Sequence, residues 1–388
     1  MAKFFRNITL CALALALFVC GTQMKTNVAV ATNNADVDIT SKSAILMEYD
    51  SGEVLFSKEE CKRLPVASMV KMMTILLSLE ELQEGNVALD TMITTTENAS
   101  SMGGSQVFLD PYVQYSFEDL LKSVVMASAN DASVALAEYF NGNEKAFTNR
   151  MNKRAKELGM TDTHYSNCTG LPAPEQYSSA KDTAILLKEI LKHDIYHNYS
   201  TIWMDTLIHP SGRTTELVNT NRLIRYFEGC DSGKTGSTNE AGCCLGASAK
   251  RGDMRLISVI VGADNSKTRF NESATLLNFG FKNFESQKLA DVTTAIKAIP
   301  VIKGKAEMIE VFAAEDFSAV VKKGDQSNYQ VDVQVKESIK APTKAGDVVG
   351  KVVISKNGNL VKEIEVIVKE NVKHLSILET AKNVIHKW

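Results

Sequence analysis

The spacing of apolar and polar residues divides the chain into a region of mixed helices and strands and a later region of short strands. Near the start, two apolar runs at 44–49 and 54–56 flank an Asp-Ser-Gly turn and predict a β-hairpin. Strand-like runs return at 241–249 and 254–261. Because strands at both ends enclose helices, the pattern predicts an α+β unit whose antiparallel sheet is built from both ends. The helices are predicted at 69–82, 117–140, 144–158, 180–193 and 271–281.

The pattern changes near residue 286, after which apolar residues occur in short β-branched segments. Residues 329–335 alternate strictly between apolar and polar, and Asn357-Gly358 is a typical hairpin turn. This pattern of short, alternating segments predicts a separate, small, all-β domain of sandwich-like form. Its strands are predicted at 296–302, 308–313, 329–335, 348–354 and 360–368.

Both ends of the chain have patterns typical of export and membrane attachment. Residues 1–31 combine Lys3 and Arg6 with a short apolar run and small residues at 29–31, as a cleaved secretory signal does; an uncleaved anchor is the alternative. Residues 371–388 return to helical spacing, and an amphipathic helix over 374–388 is expected to lie on the membrane surface. Packing of this helix on the β-domain is the alternative. We therefore expect an exported protein, held peripherally at the outer face of the cytoplasmic membrane or in the cell wall.

Composition narrows the class of protein further. The chain has 388 residues, of which 44% are hydrophobic and 23% charged, and its formal net charge is −3. These values are ordinary for a globular protein, and a mildly acidic chain without a basic block is a poor candidate for binding nucleic acid. His193 and His197 have a zinc-like spacing, but no third ligand follows at a suitable distance. We expect neither a metal nor an organic cofactor.

A serine and a lysine at the start of the first predicted helix could act together in catalysis. Ser68 and Lys71 are three positions apart, so one helical turn places the hydroxyl beside the amine. A serine hydroxyl is a weak nucleophile until a base removes its proton, and a neutral lysine can be that base. Alone, this spacing also fits a helix cap followed by a surface lysine.

Two further motifs follow in order along the chain. Ser128 and Asn130 lie between two helical stretches, where a short loop could enter a cleft. Lys234-Thr235-Gly236 leads into a predicted strand, and its glycine would let a ligand approach the strand edge closely. Each motif alone occurs by chance, but the ordered set does so far less often.

The ordered set of three motifs resembles the signature of the penicillin-recognising serine enzymes. The surrounding sequence resembles, within that group, the low-molecular-mass penicillin-binding proteins that act as D-alanyl-D-alanine carboxypeptidases, serine peptidase family S11. The resemblance covers about residues 40–385. The segments that carry it are 44–47, 65–74, 130–138, 160–164, 167–171 and 233–242.

The resemblance implies a fold and a domain organisation. The fold would be an α+β penicillin-binding or β-lactamase-like serine transpeptidase domain, followed by a small all-β, sandwich-like domain. The expected divisions are a signal at 1–31, the catalytic domain at 32–285, the β-domain at 286–370 and the membrane-associating helix at 371–388.

Roles in the acylation reaction are implied for the residues that match the first two motifs. Ser68 would be the acylated nucleophile, and Lys71 its general base, kept neutral by burial and by the nearby Lys234. Ser128 would relay the proton to the leaving group, and Asn130 would bind the peptide of the substrate.

The third motif and one later arginine would bind the substrate. Lys234 would position Ser128, and Thr235 and Arg269 would contact the substrate carboxylate. Gly236 would give access to the strand edge, and the backbone N–H group of Ser237, with that of Ser68, would form the oxyanion hole.

One departure from the family pattern bears on carboxylate binding. Some members have a second cleft arginine between the two asparagines of an Asn-Arg-Asn run. Here Thr220 lies between Asn219 and Asn221, so carboxylate binding would depend more heavily on Arg269.

The implied function is removal of the terminal D-alanine from peptidoglycan pentapeptide stems through an acyl-enzyme on Ser68, with β-lactams as covalent inhibitors. Alternatives are a β-lactamase or a D,D-endopeptidase of the same superfamily, or a non-catalytic wall-binding protein. A class A-type β-lactamase would need a Glu-x-x-x-Asn run between the second and third motifs; instead, Glu175 is followed four positions later by Ser179. The complete set of motifs argues against a non-catalytic protein. Endopeptidase activity stays open, because it shares the acyl-enzyme.

Overall fold

The computed structural model describes residues 37–324 and 329–376. The predicted signal at 1–31 and residues 377–388 of the predicted terminal helix lie outside these ranges.

The helices are α1 Lys71–Gln83, α2 Glu97–Ser100, α3 Phe117–Ala127, α4 Asn130–Asn141, α5 Glu144–Glu157, α6 Ala180–Ile190, α7 Asp194–Ser200, α8 Leu223–Tyr226 and α9 Ser266–Asn283. The strands of the first region are β1 Ser43–Glu48, β2 Val54–Lys58, β3 Met92–Thr94, β4 Gln114–Ser116, β5 Met204–Ile208, β6 Thr214–Val218, β7 Cys230–Thr238, β8 Gly242–Arg251 and β9 Met254–Ala263.

A five-stranded antiparallel sheet organises the first region. Its order is β2-β1-β9-β8-β7, so the first hairpin pairs with strands that lie some 200 residues later in the chain. The expected sheet built from both ends is therefore present. Strand β7, which carries the Lys-Thr-Gly motif, lies at one edge of this sheet.

Two hydrophobic cores cover the two faces of the sheet. On one face, the helical cluster packs around α1, whose residues from Lys71 to Leu79 are all buried. On the other face, Leu276 and Leu277 of α9 pack against Leu46 and Leu256 of the sheet. Helix α1 is buried on every side because it lies between other helices and the sheet.

The predicted helix at 117–140 is interrupted in the structure. Helix α3 ends at Ala127, Ser128 adopts a left-handed conformation with φ of 61°, and α4 begins at Asn130.

The β5–β6 hairpin was not predicted, because only Leu207 and Leu217 of its two strands are buried and the apolar alternation is too short to recognise.

The second region is an all-β domain, which confirms the predicted fold class of an α+β domain followed by an all-β domain. Its strands are β10 Phe284–Ala290, β11 Ala295–Ile302, β12 Met308–Ala313, β13 Phe317–Lys322, β14 Tyr329–Val335, β15 Ile339–Lys340, β16 Val348–Lys356 and β17 Asn359–Val368. A six-stranded sheet has the order β14-β16-β17-β12-β11-β15, and β10 pairs with β13. The predicted turn at Asn357-Gly358 joins β16 to β17.

The segment 371–376 corrects the predicted start of the terminal helix. Val372 pairs with Thr343 and His374 pairs with Gly304 in isolated β-bridges. Because the backbone of this segment forms these bridges, residues 371–376 are not helical, which differs from the helix start expected at 371 or 374 from the apolar spacing. Across 37–324 and 329–376, no helix is both long enough and apolar enough to cross a membrane.

A glycine lets strand β7 lie directly against the turn that carries Ser68. A Cβ atom at Gly236 would lie 2.4 Å from the carbonyl oxygen of Val66 and 3.1 Å from the backbone nitrogen of Ser68. Contacts this short would force the strand and the turn apart. Any larger residue at this position would therefore displace Ser68 from the strand.

We expect Gly236→Ala to lower the free energy of unfolding by about 1–3 kcal/mol, the usual cost of overpacking a close contact. Gly246→Ala on the neighbouring strand is the matched control, because its added methyl would meet only side chains at 3.7–3.8 Å. Urea unfolding followed by circular dichroism measures both. Equal stability of the two variants would contradict the constraint at Gly236.

Candidate active site

A tight turn presents Ser68 to a cleft beside strand β7. Residues Ala67–Val70 form one turn of 3-10 helix immediately before α1, and Ala67 has a positive φ of 48°. The Nζ atom of Lys71, the first residue of α1, donates a hydrogen bond of 3.0 Å to the Oγ atom of Ser68. The structure thus brings together the serine and the lysine that the sequence spacing placed side by side.

Lys71 is completely buried, and this burial determines its protonation. Removal from water lowers the pKa of the Lys71 ammonium from its ordinary 10.5 to about 7. Its Nζ atom also donates a 2.5 Å hydrogen bond to the carbonyl oxygen of Thr169. The expected contribution of Lys234 to this lowered pKa is not found, because burial of Lys71 is its dominant cause.

Lys234 connects the second and third motifs. Its Nζ atom donates a 2.6 Å hydrogen bond to Ser128 Oγ and a 3.2 Å hydrogen bond to the carbonyl oxygen of Thr235. Burial lowers the pKa of Lys234 well below its ordinary value, and the nearby Lys71 and Arg269 lower it further. The Ser128 hydroxyl is therefore hydrogen-bonded to a buried lysine.

The side-chain amide nitrogen of Asn130 is hydrogen-bonded, whereas its amide oxygen has no partner among the described residues. Its Nδ2 atom donates a 2.6 Å hydrogen bond to the carbonyl oxygen of Gly103, while its buried Oδ1 atom has no partner within the described part of the chain. The carboxylate of Asp131 accepts hydrogen bonds from the backbone N–H groups of Val107 and Leu109, which anchors the same loop. An unpaired buried acceptor is costly, so Asn130 Oδ1 is available to a donor on a ligand.

The cleft encloses about 600 Å³. Arg269 of α9 is nine-tenths buried in its wall; its Nη1 atom donates to the carbonyl oxygens of Gly236 and Cys244, and its Nε atom has no partner among the described residues. Lys71, Lys234 and Asn130 lie buried behind this wall. The lining residues are Ser68, Ser105, Ser128, Trp203, Val218, Asn219, Thr220, Arg222, Tyr226, Thr235, Gly236, Ser237, Ser266 and Arg269.

Asn167 is a residue to which sequence reasoning assigned no role. Its Oδ1 atom accepts hydrogen bonds from the Thr169 N–H group (3.2 Å), the Thr169 hydroxyl (3.2 Å) and the Gly170 N–H group (2.7 Å). A Cβ atom at Gly170 would lie 2.1 Å from the carbonyl oxygen of Ala67, so this loop lies directly on the Ser68 turn. Asn167 therefore holds the Thr169 carbonyl in place against Lys71.

Arg222, Trp203 and Tyr226 also line the cleft without having been predicted. Thr220 occupies the position of the arginine found in some family members, and Arg222 lies two positions later. No local pattern marks these residues as cleft residues, because the β5–β6 hairpin and the short helix α8 bring them there.

Comparison with known proteins identifies the family. A family model described as "D-alanyl-D-alanine carboxypeptidase" matches residues 28–265, and one described as "Penicillin-binding protein 5, C-terminal domain" matches residues 284–374. The chain belongs to the D-alanyl-D-alanine carboxypeptidase family. It is 40% identical over 349 residues to the D-alanyl-D-alanine carboxypeptidase DacF of Bacillus subtilis, with 90% of each chain covered. It is 36% identical over 347 residues to DacC of Escherichia coli, with 86% of this chain and 85% of that protein covered.

Solved structures agree with this assignment. Penicillin-binding protein 5 from Haemophilus influenzae superposes with a TM-score of 0.70 at 33% identity, covering 87% of this chain and 98% of that one. PBP3 from Streptococcus pneumoniae has a TM-score of 0.71 at 26% identity, covering 87% and 100%. The resemblance inferred from the motifs, and with it the assignment to the serine-type carboxypeptidase hydrolases, is confirmed.

We expect Asn167→Ala to slow β-lactam acylation of Ser68 by about 10- to 100-fold, because the Thr169 carbonyl loses its support and Lys71 shifts from Ser68. Asn167→Asp keeps an oxygen acceptor and should recover most of the rate. Stopped-flow acylation with a fluorescent penicillin measures the effect.

Asn152→Ala is the matched control for this prediction. Asn152 bonds through both ends of its amide to the backbone of Tyr165, in the same loop as Asn167, and not to the backbone of Thr169 or Gly170. If both alanine variants slow acylation equally at equal stability, Asn167 has only a general structural role.

Proposed function

We propose that this protein is a serine-type D-Ala-D-Ala carboxypeptidase that removes the terminal D-alanine from peptidoglycan pentapeptide stems through an acyl-enzyme on Ser68. The observation that carries the proposal is the 3.0 Å contact between Ser68 and a buried Lys71 whose pKa is about 7. A lysine with this pKa is largely neutral at slightly alkaline pH and can act as a base. β-Lactams would acylate the same serine and inhibit the enzyme.

Acylation begins with proton transfer from Ser68 to Lys71. As the proton leaves, the Ser68 Oγ atom attacks the carbonyl carbon of the penultimate D-alanine. The backbone N–H groups of Ser68 and Ser237 would bind the developing oxyanion, where each such donor contributes roughly 3 kcal/mol to lowering the barrier. Gly236 keeps the strand that carries Ser237 in direct contact with the Ser68 turn.

The leaving D-alanine would be bound at the end of the cleft where Ser128 and Arg269 lie. Ser128, hydrogen-bonded to Lys234, is placed to pass a proton to the leaving amine. The free carboxylate of the leaving D-alanine would contact the Thr235 hydroxyl and the unpaired Nε atom of Arg269. The unpaired Oδ1 atom of Asn130 would accept a hydrogen bond from an N–H group of the bound peptide.

We expect wild-type protein to gain the mass of one β-lactam, mapped to Ser68, and to release one D-alanine from a pentapeptide ending in D-Ala-D-Ala. Lys71→Arg should abolish both, because arginine cannot lose its proton in a protein. The acylation rate should rise as pH increases through about 7, where Lys71 becomes neutral, and then level off. Mass spectrometry and a pH series of acylation rates measure these effects.

Three outcomes would contradict the assignment. Labelling that persists in Ser68→Ala would place the acyl group elsewhere, and near-normal acylation in Lys71→Arg would require another base. A rate that rises only near pH 10 would mean that Lys71 keeps its ordinary pKa. Rapid turnover of the chromogenic cephalosporin nitrocefin, instead of a stalled acyl-enzyme, would favour a β-lactamase.

We further propose that the protein is exported by residues 1–31 and held at the outer face of the cytoplasmic membrane by its C-terminal segment. The support comes from the sequence: Ile377, Leu378, Ala381, Val384, Ile385 and Trp388 share one helical face. Lys382 and Lys387 on the opposite face would each add roughly 1 kcal/mol of attraction to anionic lipids.

Truncation after Ser376, with the signal intact, should release active enzyme into the soluble fraction. This cut keeps the β-bridges of Val372 and His374, so the β-domain retains its closing contacts. Fractionation of cells followed by fluorescent penicillin labelling locates the enzyme. A truncated protein that stays with the membrane would place the anchor at the N-terminus instead.

A further inference from the structure

The turn of the β5–β6 hairpin carries a buried histidine to which the proposed reaction gives no role. His209 follows β5 directly, and its imidazole is almost fully buried, although Ile208 and Arg213 on either side of it in the turn are exposed. A polar ring buried in an otherwise exposed turn needs hydrogen-bond partners. Several of these partners lie on a separate part of the chain, between residues 103 and 115.

A directed chain of hydrogen bonds holds the imidazole. The Thr215 hydroxyl donates to the carbonyl oxygen of Val107 (3.2 Å), so the Thr215 oxygen accepts the 2.9 Å hydrogen bond from His209 Nε2. In a neutral ring the Nδ1 atom then has no hydrogen, and it accepts from the Arg213 guanidinium at 3.1 Å. The Tyr115 hydroxyl also lies 2.9 Å from Nδ1. These partners fit a neutral imidazole and assign its tautomer.

The same hairpin turn fixes the backbone of residues 103–110. Arg213 donates a 2.5 Å hydrogen bond to the carbonyl oxygen of Phe108 and forms a 3.2 Å ion pair with Asp110. Phe108 has a positive φ of 61°, which a bulky residue adopts only where its surroundings impose it. Its side chain is 55% exposed, so burial of the ring does not explain this conformation. The polar contacts to its backbone do.

On its other side, the 103–110 segment holds Asn130. The backbone N–H group of Asn130 donates a 2.7 Å hydrogen bond to the carbonyl oxygen of Ser105, and its Nδ2 atom donates a 2.6 Å hydrogen bond to that of Gly103. The carboxylate of Asp131 accepts two further backbone N–H groups of the segment. The segment thus lies between the hairpin turn and the start of α4, where it determines the orientation of the Asn130 amide.

We propose that His209 is a positioning residue: by fixing the 103–110 segment, it orients the Asn130 side chain for binding the peptide of the substrate. The proposal rests on the carboxypeptidase function proposed above. His209 itself does not line the cleft. Without its two nitrogens, Arg213 and Thr215 would lose their common partner. The strained segment would then relax, and the Asn130 amide would turn away from the ligand.

Protonation of His209 would have the same effect as loss of its nitrogens. Burial, and after it the Arg213 guanidinium, lowers the pKa of His209 from its ordinary 6.5, while Asp110 and Asp131 act in the opposite direction. Tyr115 stays a neutral hydroxyl, because burial raises its pKa. As pH falls through the pKa of His209, Nδ1 gains a hydrogen that faces the guanidinium. The hold on the segment is therefore present above this pKa and is lost below it.

Variants at His209, made with and without an intact Asn130, test whether the two residues act together. His209→Phe keeps a ring and removes both nitrogens. We expect the second-order rate constant for acylation of Ser68 by a fluorescent penicillin to fall about 10- to 100-fold. His209→Asn keeps an acceptor near the position of Nδ1 and should recover part of the rate. In Asn130→Ala, where no amide is left to orient, adding His209→Phe should cause no further fall.

Arg213→Ala provides a second variant that leaves the buried ring in place, and it should behave like His209→Phe in both backgrounds. His197→Asn is the matched control: His197 lies on α7, close to the carbonyl oxygen of Leu191, and its substitution should leave the rate unchanged. Circular dichroism verifies that each full-length variant is folded.

The pH dependence of acylation supplies a measurement that a purely structural role would not change. In wild type, the rate should fall about tenfold per pH unit below the Lys71 pKa of about 7, and more steeply once His209 is also protonated. In His209→Asn, only the tenfold dependence should remain. Circular dichroism over the same pH range verifies that the fold persists.

Three results would overturn the proposal. These are unchanged acylation in both His209→Phe and Arg213→Ala, an equal fall for His209→Phe with and without Asn130, and an identical acid limb of the pH profile in wild type and His209→Asn. Failure of the carboxypeptidase function is recognised separately: wild type would label at Ser68 but release no D-alanine from a pentapeptide, and the acylation rates would still report on His209.

Discussion

The removal of two lysine side chains from water is the constraint on which the catalytic region depends. Lys71 and Lys234 are almost fully buried, and neither forms a salt bridge within the part of the chain that the structure describes. An unpaired ammonium is strongly disfavoured in such surroundings, so burial favours the neutral amine. Their hydrogen-bond acceptors are uncharged: the hydroxyls of Ser68 and Ser128 and the carbonyls of Thr169 and Thr235. The base is thus created by packing and not by an adjacent charge.

This packing requires close backbone contacts between separate segments of the chain. The edge strand β7 and the loop at 167–171 both contact the Ser68 turn closely, and a glycine lies at each contact. Between them, water is excluded from Lys71. The lowered pKa of Lys71 consequently depends on three chain segments that meet only in the folded protein.

Features that depend on neighbouring residues could be predicted from the sequence. The contact between Ser68 and Lys71 follows from a spacing of three along a helix, and strands β12 and β14 agree with their predicted bounds because apolar alternation is local. The break at Ser128 could not be predicted in detail, because apolar spacing continues through it and the contacts that stabilise it come from distant residues such as Lys234, about a hundred residues away.

The same reasoning explains the residues that were missed. Asn167 and Arg222 acquire their roles through contacts with loops and helices elsewhere in the chain, so no local pattern marks them. Residues 371–376 continue the helical spacing of the terminal segment, but their backbone forms β-bridges with Gly304 and Thr343. Tertiary hydrogen bonds here outweigh local periodicity.

The small β10–β13 sheet packs against the cores of both domains. Helix α9 ends at Asn283 and β10 begins at the next residue, so no linker separates the domains. Val320 of β13 is buried with Leu276 and Leu277 of α9, while Ala290 of β10 belongs to the core of the β-domain. Bending at this junction would expose apolar surface on both sides. The orientation of the β-domain relative to the cleft is therefore stabilised by apolar burial on both sides of the junction and does not depend on a separate linker.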